Sequence, residues 1–193
     1  MTLPELLAPA GDQASFHAAL ANGADAVYIG IGRFNMRRSQ DGCLHFNQIA
    51  GMVKEAHEKG AKLYVTLNTI VYQEELPELD RTIAVLKEAA VDAVIACDWA
   101  VIRRAKAAGI PVHISTQMSA SNAEVVRFLA EQGADGIIST KTQLIRQAKD
   151  LLSSDYGSIS QVAKSVGFAS VYHFSKMFKA YSGMNFSDYL SAT

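Results

Sequence analysis

Short apolar runs alternate with stretches of helical periodicity along the first two-thirds of the chain. The run Glu5-Leu6-Leu7-Ala8-Pro9 is followed by Gly11-Asp12, and residues 13–22 then carry Phe16, Ala19 and Leu20 at helical spacing before Gly23. The same strand–helix unit recurs as 26–30 with 49–59, 62–67 with 79–90, 92–96 with 100–108 and 112–115 with 123–132, and a further strand follows at 136–139. Glycines stand where these helices should close, because glycine takes the positive φ that ends a helix without steric cost. Strands that run apolar on both faces and are separated by helices predict a parallel sheet covered on both sides. An open doubly wound sheet and part of an eight-stranded barrel both satisfy this pattern. No GxGxxG loop follows the first strand, and Gly30-Ile31-Gly32 is too short a match. The pattern therefore predicts an α/β fold built on an incomplete (β/α) barrel of six parallel strands.

From residue 141 the pattern changes. Leu144, Ile145, Ala148, Leu151 and Leu152 share one face of a helix predicted over 143–152, and the turn residues 153–157 end it. Ser158 or Ser160 can cap a helix over 161–166 that stops at Gly167, and Ser170 can cap a longer one over 171–181 before Gly183. Two short helices joined by a glycine-containing turn predict a small all-α helix-turn-helix unit over 141–193, after a barrel segment over 1–140. The helix over 143–152 arrives where the barrel needs its sixth helix. Charge changes sign at the same boundary: 12 Lys and Arg stand against 16 Asp and Glu in residues 1–140, a net −4, and 6 against 3 in residues 141–193, a net +3. A basic helical unit suits a phosphate backbone.

Composition bounds the remaining possibilities. A chain of 193 residues with 49% hydrophobic content can bury one sizeable core, or a medium core and a small one. No stretch approaches the roughly 18 apolar residues of a membrane span, and Met1-Thr2-Leu3-Pro4-Glu5 lacks the basic and apolar regions of a signal peptide. No membrane association and a cytoplasmic location are expected. Cys43 and Cys97 are the two cysteines and form no CxxC pair, so neither a disulfide framework nor a thiolate metal site is encoded, and no cofactor or metal is expected. No HExxH helix and no Ser/His/Asp or Cys/His arrangement at recognisable spacing is present, so no catalytic set is assigned and no peptidase activity is expected.

Polar residues gather beyond the C-terminal ends of the predicted strands, the edge at which parallel β/α sheets bind ligands. They are Arg33, Asn35, Arg37 and Arg38 after the second strand, Asn68 after the third, Asp98 after the fourth, and His113, Ser115 and Gln117 in or after the fifth. Three guanidinium groups on one loop repel one another unless an anion or an acidic partner neutralises them, which predicts a small anionic ligand or an RNA phosphate, with solvent exposure as the alternative. His113 also fits a satisfied interior position, and Asp98 and Asn122 also fit helix caps.

At these residues the chain resembles a known family. Residues 5–12 (ELLAPAGD), 23–30 (GADAVYIG) with Arg33-Phe34-Asn35, 65–69 (VTLNT) and 113–117 (HISTQ) resemble the collagenase-like peptidases of family U32 over residues 4–140. Some members are RNA- or quinone-modifying hydroxylation factors, and some hold an iron–sulfur cluster through cysteines of a later segment. The resemblance implies a barrel and a pocket. Residues 158–163 (SISQVA), Val166-Gly167-Phe168, 172–179 (YHFSKMFK) and Gly183-Met184 resemble the second helix-turn-helix of AraC/XylS transcription regulators. That resemblance implies double-stranded DNA as partner, with Val171, Tyr172, His173, Ser175, Lys176 and Lys179 offered to it. The combined expectation is a regulator-like fusion whose partial barrel binds a small anionic ligand or a second subunit. The alternatives are a truncated U32-family enzyme and a fusion with no evolved joint activity. Uncovered edge strands predict a homo-oligomer.

Overall fold

A computed structural model describes residues 5–36, 44–120, 122–138, 148–149, 151–152, 158–166 and 171–192. Arg37, Arg38 and Cys43 lie outside the described residues, as does most of the predicted helix over 143–152. The chain divides into two compact units, Glu5–Ile138 and Ser139–Thr193 with Met1–Pro4.

In the first unit, strands β1 (Leu7–Ala10), β2 (Ala26–Gly30), β3 (Lys62–Leu67), β4 (Ala93–Ala96), β5 (Val112–Ile114) and β6 (Gly136–Ile137) alternate with helices α1 (Gln13–Ala21), α2 (Ile49–Glu58), α3 (Leu76–Glu88), α4 (Trp99–Ala107) and α5 (Ala123–Glu131). The helices start where the local chemistry lets them. The Asp12 carboxylate accepts the Ser15 N–H at 2.7 Å, and Ser15 Oγ in turn accepts the Asp12 N–H at 3.1 Å, so two orphan amides at the start of α1 are satisfied. Asn122 caps α5 through the Glu124 and Val125 amides. Such a cap contributes about 0.5–2 kcal/mol.

The strands are hydrogen-bonded in sequence order, β1-β2-β3-β4-β5-β6, and every neighbouring pair is parallel. This order decides between the two architectures. A doubly wound sheet reverses direction at a switch point and so places helices on both faces. Right-handed crossovers that always step the same way leave all helices on one face, and the sheet curls away from them as a half-barrel. The side chains follow this division. Val27, Ile29, Leu63, Val65, Val94 and Ile114 belong to the large core under the helices. The alternate residues Ala26, Tyr64, Ala93 and Ile95 form a smaller cluster on the inner face, with Leu7, Tyr28 and Ile138 packed against it.

A repeat of two strands is stitched along the N-terminal rim. An aspartate stands immediately before each even-numbered strand, as Asp25, Asp92 and Asp135. Their carboxylates accept the amides of Leu6 at 2.7 Å, Leu63 at 2.8 Å and Val112 at 2.8 Å, each at the start of the preceding odd-numbered strand. Leu6 directly precedes β1, while Leu63 and Val112 stand within the first two residues of β3 and β5, so the aspartates pin the beginning of each strand pair.

The second unit has its own core. Its described helices are α6 (Ile159–Ser165), α7 (Val171–Ser182) and α8 (Phe186–Ala192). Ser158 and Gln161 cap α6 reciprocally, Gln161 Oε1 accepting the Ser158 N–H at 2.7 Å. Phe174, Phe178 and Phe186 meet with ring centroids 5.6–5.8 Å apart, and Val162, Ala163 and Val166 close the cluster. Ala148 and Leu152 are buried in this same cluster, with Leu151 packed against it. The described apolar residues of the helix expected over 143–152 thus help to build the aromatic core of the second unit. The glycine-containing turn at 167–170, which would define a helix-turn-helix, lies outside the described residues.

Candidate functional site at the C-terminal rim of the sheet

The loops after the strands bring Asn35, Asn68, Asp98 and Ser115 to the C-terminal rim, and most of these groups are engaged in building it. Asn68 follows β3, and its Oδ1 accepts the Met36 N–H at 3.2 Å, tying the loop after β2 to the end of β3. The Asp98 carboxylate accepts the amides of Ala100 at 2.7 Å and Val71 at 3.2 Å, so it caps α4 and anchors the loop after β3. Ser115 is buried, and its Oγ accepts the Gln117 N–H at 3.3 Å at the start of the 3-10 turn Thr116–Met118. Gln117 is exposed.

Arg33 does not stand free for an anion. It pairs with Glu75, and its Nη1 donates to Glu78 Oε2 at 3.1 Å. Glu75 also accepts the Tyr72 N–H at 2.8 Å. Two carboxylates thus neutralise the one described guanidinium of the expected arginine cluster. An anion arriving there would have to displace them.

Asn35 is the rim residue with spare hydrogen-bonding capacity. It is 3% exposed, its Nδ2 donates to the Gly32 carbonyl at 2.7 Å, and its buried Oδ1 has no hydrogen-bond partner among the described residues. An unpaired buried acceptor costs about 1–3 kcal/mol, so its position calls for a reason. The amide lies over Gly30, where a Cβ would come within 2.6 Å of Asn35 Oδ1 and 3.4 Å of Thr66 Oγ1. Gly30 and Thr66 are register partners on the inner face of the sheet. Absence of a side chain at Gly30 is what lets the Asn35 amide lie against the strand.

His113 was expected to join Arg33 and Asn68, and the structure places it with other company. It is on the inner face in register with Ile95 and Gly136, and its ring meets Tyr64 edge-on at 4.6 Å. The groups around it lie toward the N-terminal rim. Tyr64 donates its hydroxyl hydrogen to Glu5 Oε1 at 2.5 Å, and Lys62 Nζ donates to Glu5 Oε2 at 2.8 Å. Burial pushes the His113 imidazole below its usual value, against the opposing pull of Glu5 and Asp135, so it is neutral at pH 7. Burial first, and then the hydrogen bond to Glu5, push the Tyr64 hydroxyl far up, which keeps it a donor.

The nucleophile candidates of the rim are not activated. Burial raises the Cys97 thiol, and the neighbouring Asp98 raises it further, so it is a poor source of thiolate. Ser115 Oγ is engaged in its turn, and His113 meets Tyr64 edge-on. Hydrophobic periodicity passes over Gly30 and Thr66, although both lie within the motifs 23–30 and 65–69 that carry the family resemblance. A glycine interrupting an otherwise bulky strand was the available signal.

Comparison with known proteins adds kinship to this geometry. The sequence profile of peptidase family U32 matches residues 11–189. The tRNA hydroxylation protein P1 of Bacillus subtilis (strain 168) is 34% identical over 171 residues, 86% of this chain and 40% of that protein. The 23S rRNA 5-hydroxycytidine C2501 synthase of Escherichia coli (strain K12) is 40% identical over 134 residues, 69% of this chain and 20% of that protein. A collagenase of Porphyromonas gingivalis (strain ATCC BAA-308 / W83) is 37% identical over 124 residues, 64% of this chain and 30% of that protein. The chain thus spans 20–40% of the length of these relatives.

The match to residue 189 also corrects the reading of the C-terminal segment as part of a DNA-binding transcription regulator of the AraC/XylS type. Val171, Tyr172, His173, Ser175, Lys176 and Lys179 all lie on α7, with Tyr172, Lys176 and Lys179 exposed. Phe174 and Phe178, within the stretch 172–179 that carried part of the resemblance, are fully buried. A pattern of buried aromatics on short helices reports a core, and a core does not identify a partner.

Proposed function

The chain belongs to peptidase family U32, and from that premise we propose that it supplies the ligand-holding barrel segment of an RNA-hydroxylation protein. The observation that carries this reading is the Asn35 amide, fixed in orientation by Gly32 and laid over Gly30 beside Thr66. Such a preorganised polar notch at the C-terminal rim is suited to holding a small polar group in place. Peptide hydrolysis through an acyl-enzyme would instead call for an activated nucleophile, and Ser115 and Cys97 are not in that condition. The tRNA hydroxylation protein P1 matches 86% of this chain and the collagenase 64%. Among the described residues no helix is long and apolar enough to cross a membrane. A cytoplasmic location goes with work on RNA.

A pair of chimeras tests the proposal. Residues 5–138 of this chain replace the matching segment of the Bacillus subtilis tRNA hydroxylation protein P1 and, separately, of the Porphyromonas gingivalis collagenase. The expected result is hydroxylated nucleosides in tRNA, read by mass spectrometry, in a strain that depends on the first chimera. Gelatin hydrolysis by the purified second chimera, with no hydroxylation from the first, would reverse the assignment in favour of a peptidase.

A further inference from the structure

We infer that the outer face of α7, carrying Tyr172, Lys176 and Lys179, docks single-stranded RNA, with a base stacked on Tyr172 and backbone phosphates on the two lysines. The face belongs wholly to the second unit. The inference deepens the RNA-hydroxylation reading and rests on it for the choice of RNA as the strand.

Helical geometry sets the face. At about 100° per residue, Tyr172, Lys176 and Lys179 fall within about 60° of one another, on the side turned away from Phe174 and Phe178. Those two phenylalanines are fully buried in the aromatic core, so α7 is anchored and its outer stripe is held in one orientation. With about 1.5 Å of rise per residue, the stripe runs about 10 Å from Tyr172 to Lys179. Ala180 is exposed beside it and adds no bulk that would hold a strand away.

Tyr172 is 80% exposed, the highest value for a large apolar side chain among the described residues. Alone it would be an ordinary surface residue. Its neighbours change that. Lys176 and Lys179, and Lys164 on α6, are all exposed, and among the described residues none of the three is in an ion pair. In the first unit, by contrast, Arg33, Lys54, Lys62, Arg104 and Lys106 each face a carboxylate. Asp188 is the only acidic residue among the described residues of the second unit, and its carboxylate accepts a hydrogen bond from Asn185 Nδ2 at 3.2 Å.

An aromatic face in line with unpaired cations fits a strand whose bases are free to stack and whose phosphates are open to contact. A duplex keeps its bases stacked on one another and offers Tyr172 no ring face. An acidic protein segment would satisfy the lysines and leave the ring without a partner.

The test is a fluorescence-anisotropy titration of the full chain against labelled oligouridylate, which is unstructured, and against a DNA duplex, with polyglutamate as competitor. Oligouridylate should bind at least about tenfold more tightly than the duplex, and polyglutamate should not displace it. Tyr172→Leu keeps an apolar side chain without the flat ring and should weaken oligouridylate binding by roughly tenfold, while Tyr172→Phe should retain it. Lys176→Ala and Lys179→Ala should each flatten the dependence of log affinity on log salt by about 0.7. Lys59→Ala, at an exposed lysine of the first unit, should change nothing.

Equal or tighter binding of the DNA duplex overturns the inference, and so does displacement by polyglutamate, which would make the face a site for acidic protein. No binding of oligouridylate up to about 100 µM protein at low salt, the weak end of non-specific binding, also overturns it. If Tyr172→Leu binds as the unaltered chain does, or if Lys59→Ala weakens binding as much as Lys179→Ala, the α7 face is not the docking site. The chimeras carry residues 5–138 and so lack α7. Hydroxylation from the first chimera with no oligouridylate binding here would sink only the docking face; oligouridylate binding with no hydroxylation would sink the RNA-hydroxylation reading and leave the face standing.

Discussion

The polar residues of this chain divide by whether their hydrogen bonds are complete. Asp135 is a completed one. Its carboxylate accepts the Val112 N–H at 2.8 Å and pairs with Lys106 Nζ at 2.9 Å. Burial alone would raise its proton affinity, but the Val112 amide, Lys106 and His113 outweigh it and hold the carboxyl below the usual range. A carboxyl lowered in the folded state contributes stability that is fully present above its unfolded value, about 3.9, and is lost as pH falls through the folded one. Asp135→Asn should therefore make the urea midpoint less sensitive to pH below about 5, while a parallel loss at every pH would show that the charge is irrelevant. The pair is partly exposed, so solvent screening keeps the effect small. None of this is legible in hydrophobic periodicity, which puts Asp92 at the head of a strand and leaves Asp25 and Asp135 just outside one. Asp98 and Asn122 were legible as caps because an N-cap is a local matter of one side chain and the next two amides. Asn35 was legible as a rim residue, but not its orphan oxygen, since that depends on Gly32 and Gly30 folding beneath it.

Helix ends show which local rules suffice. Gly60 and Gly109, expected to close α2 and α4, take φ of +73° and +71°. After α3 the corresponding left-handed position is held by Ala90, at φ +56°. An alanine there bears a steric cost that glycine does not, partly offset by the greater freedom of glycine in the unfolded chain. Ala90→Gly is expected to stabilise the chain by about 0.5–1 kcal/mol, read as a higher urea midpoint at unchanged m-value. A lower midpoint would show that the left-handed turn is not strained. Helix α3 also begins at Leu76, three residues before the position that apolar spacing indicates, because Pro77 is accommodated in the first turn of a helix. Helix α8 was not foreseen: Phe186, Tyr189 and Leu190 follow helical spacing, but over seven residues the pattern is too short to stand out. The strand order could not be read from spacing at all. It emerges from the register of five strand pairs, and it is what turns six runs of apolar residues into a curled sheet.

At the scale of the whole molecule, family was legible where the motifs are also structural and misleading where they are only core. The N-terminal motifs contain Asp12, Asp25, Gly30, Asn35, Asn68 and His113, residues that cap, stitch, line or fill the inner side of the sheet. The C-terminal motif rests on Phe174, Phe178 and their neighbours, which any small helical core can use. The family match through residue 189 places the chain, C-terminal segment included, in peptidase family U32, and the proposal of RNA hydroxylation takes the place of regulation. If the rim site is where that chemistry is organised, one substitution should separate fold from function. The decisive measurement is the amount of hydroxylated nucleoside in tRNA from cells that rely on the Bacillus subtilis chimera carrying residues 5–138, compared with the same chimera bearing Gly30→Ala. A roughly tenfold or greater loss of hydroxylation, at unchanged protein level and thermal midpoint, is the expected result for a change that displaces the Asn35 amide. Undiminished hydroxylation in the Gly30→Ala chimera would contradict the assignment of the site.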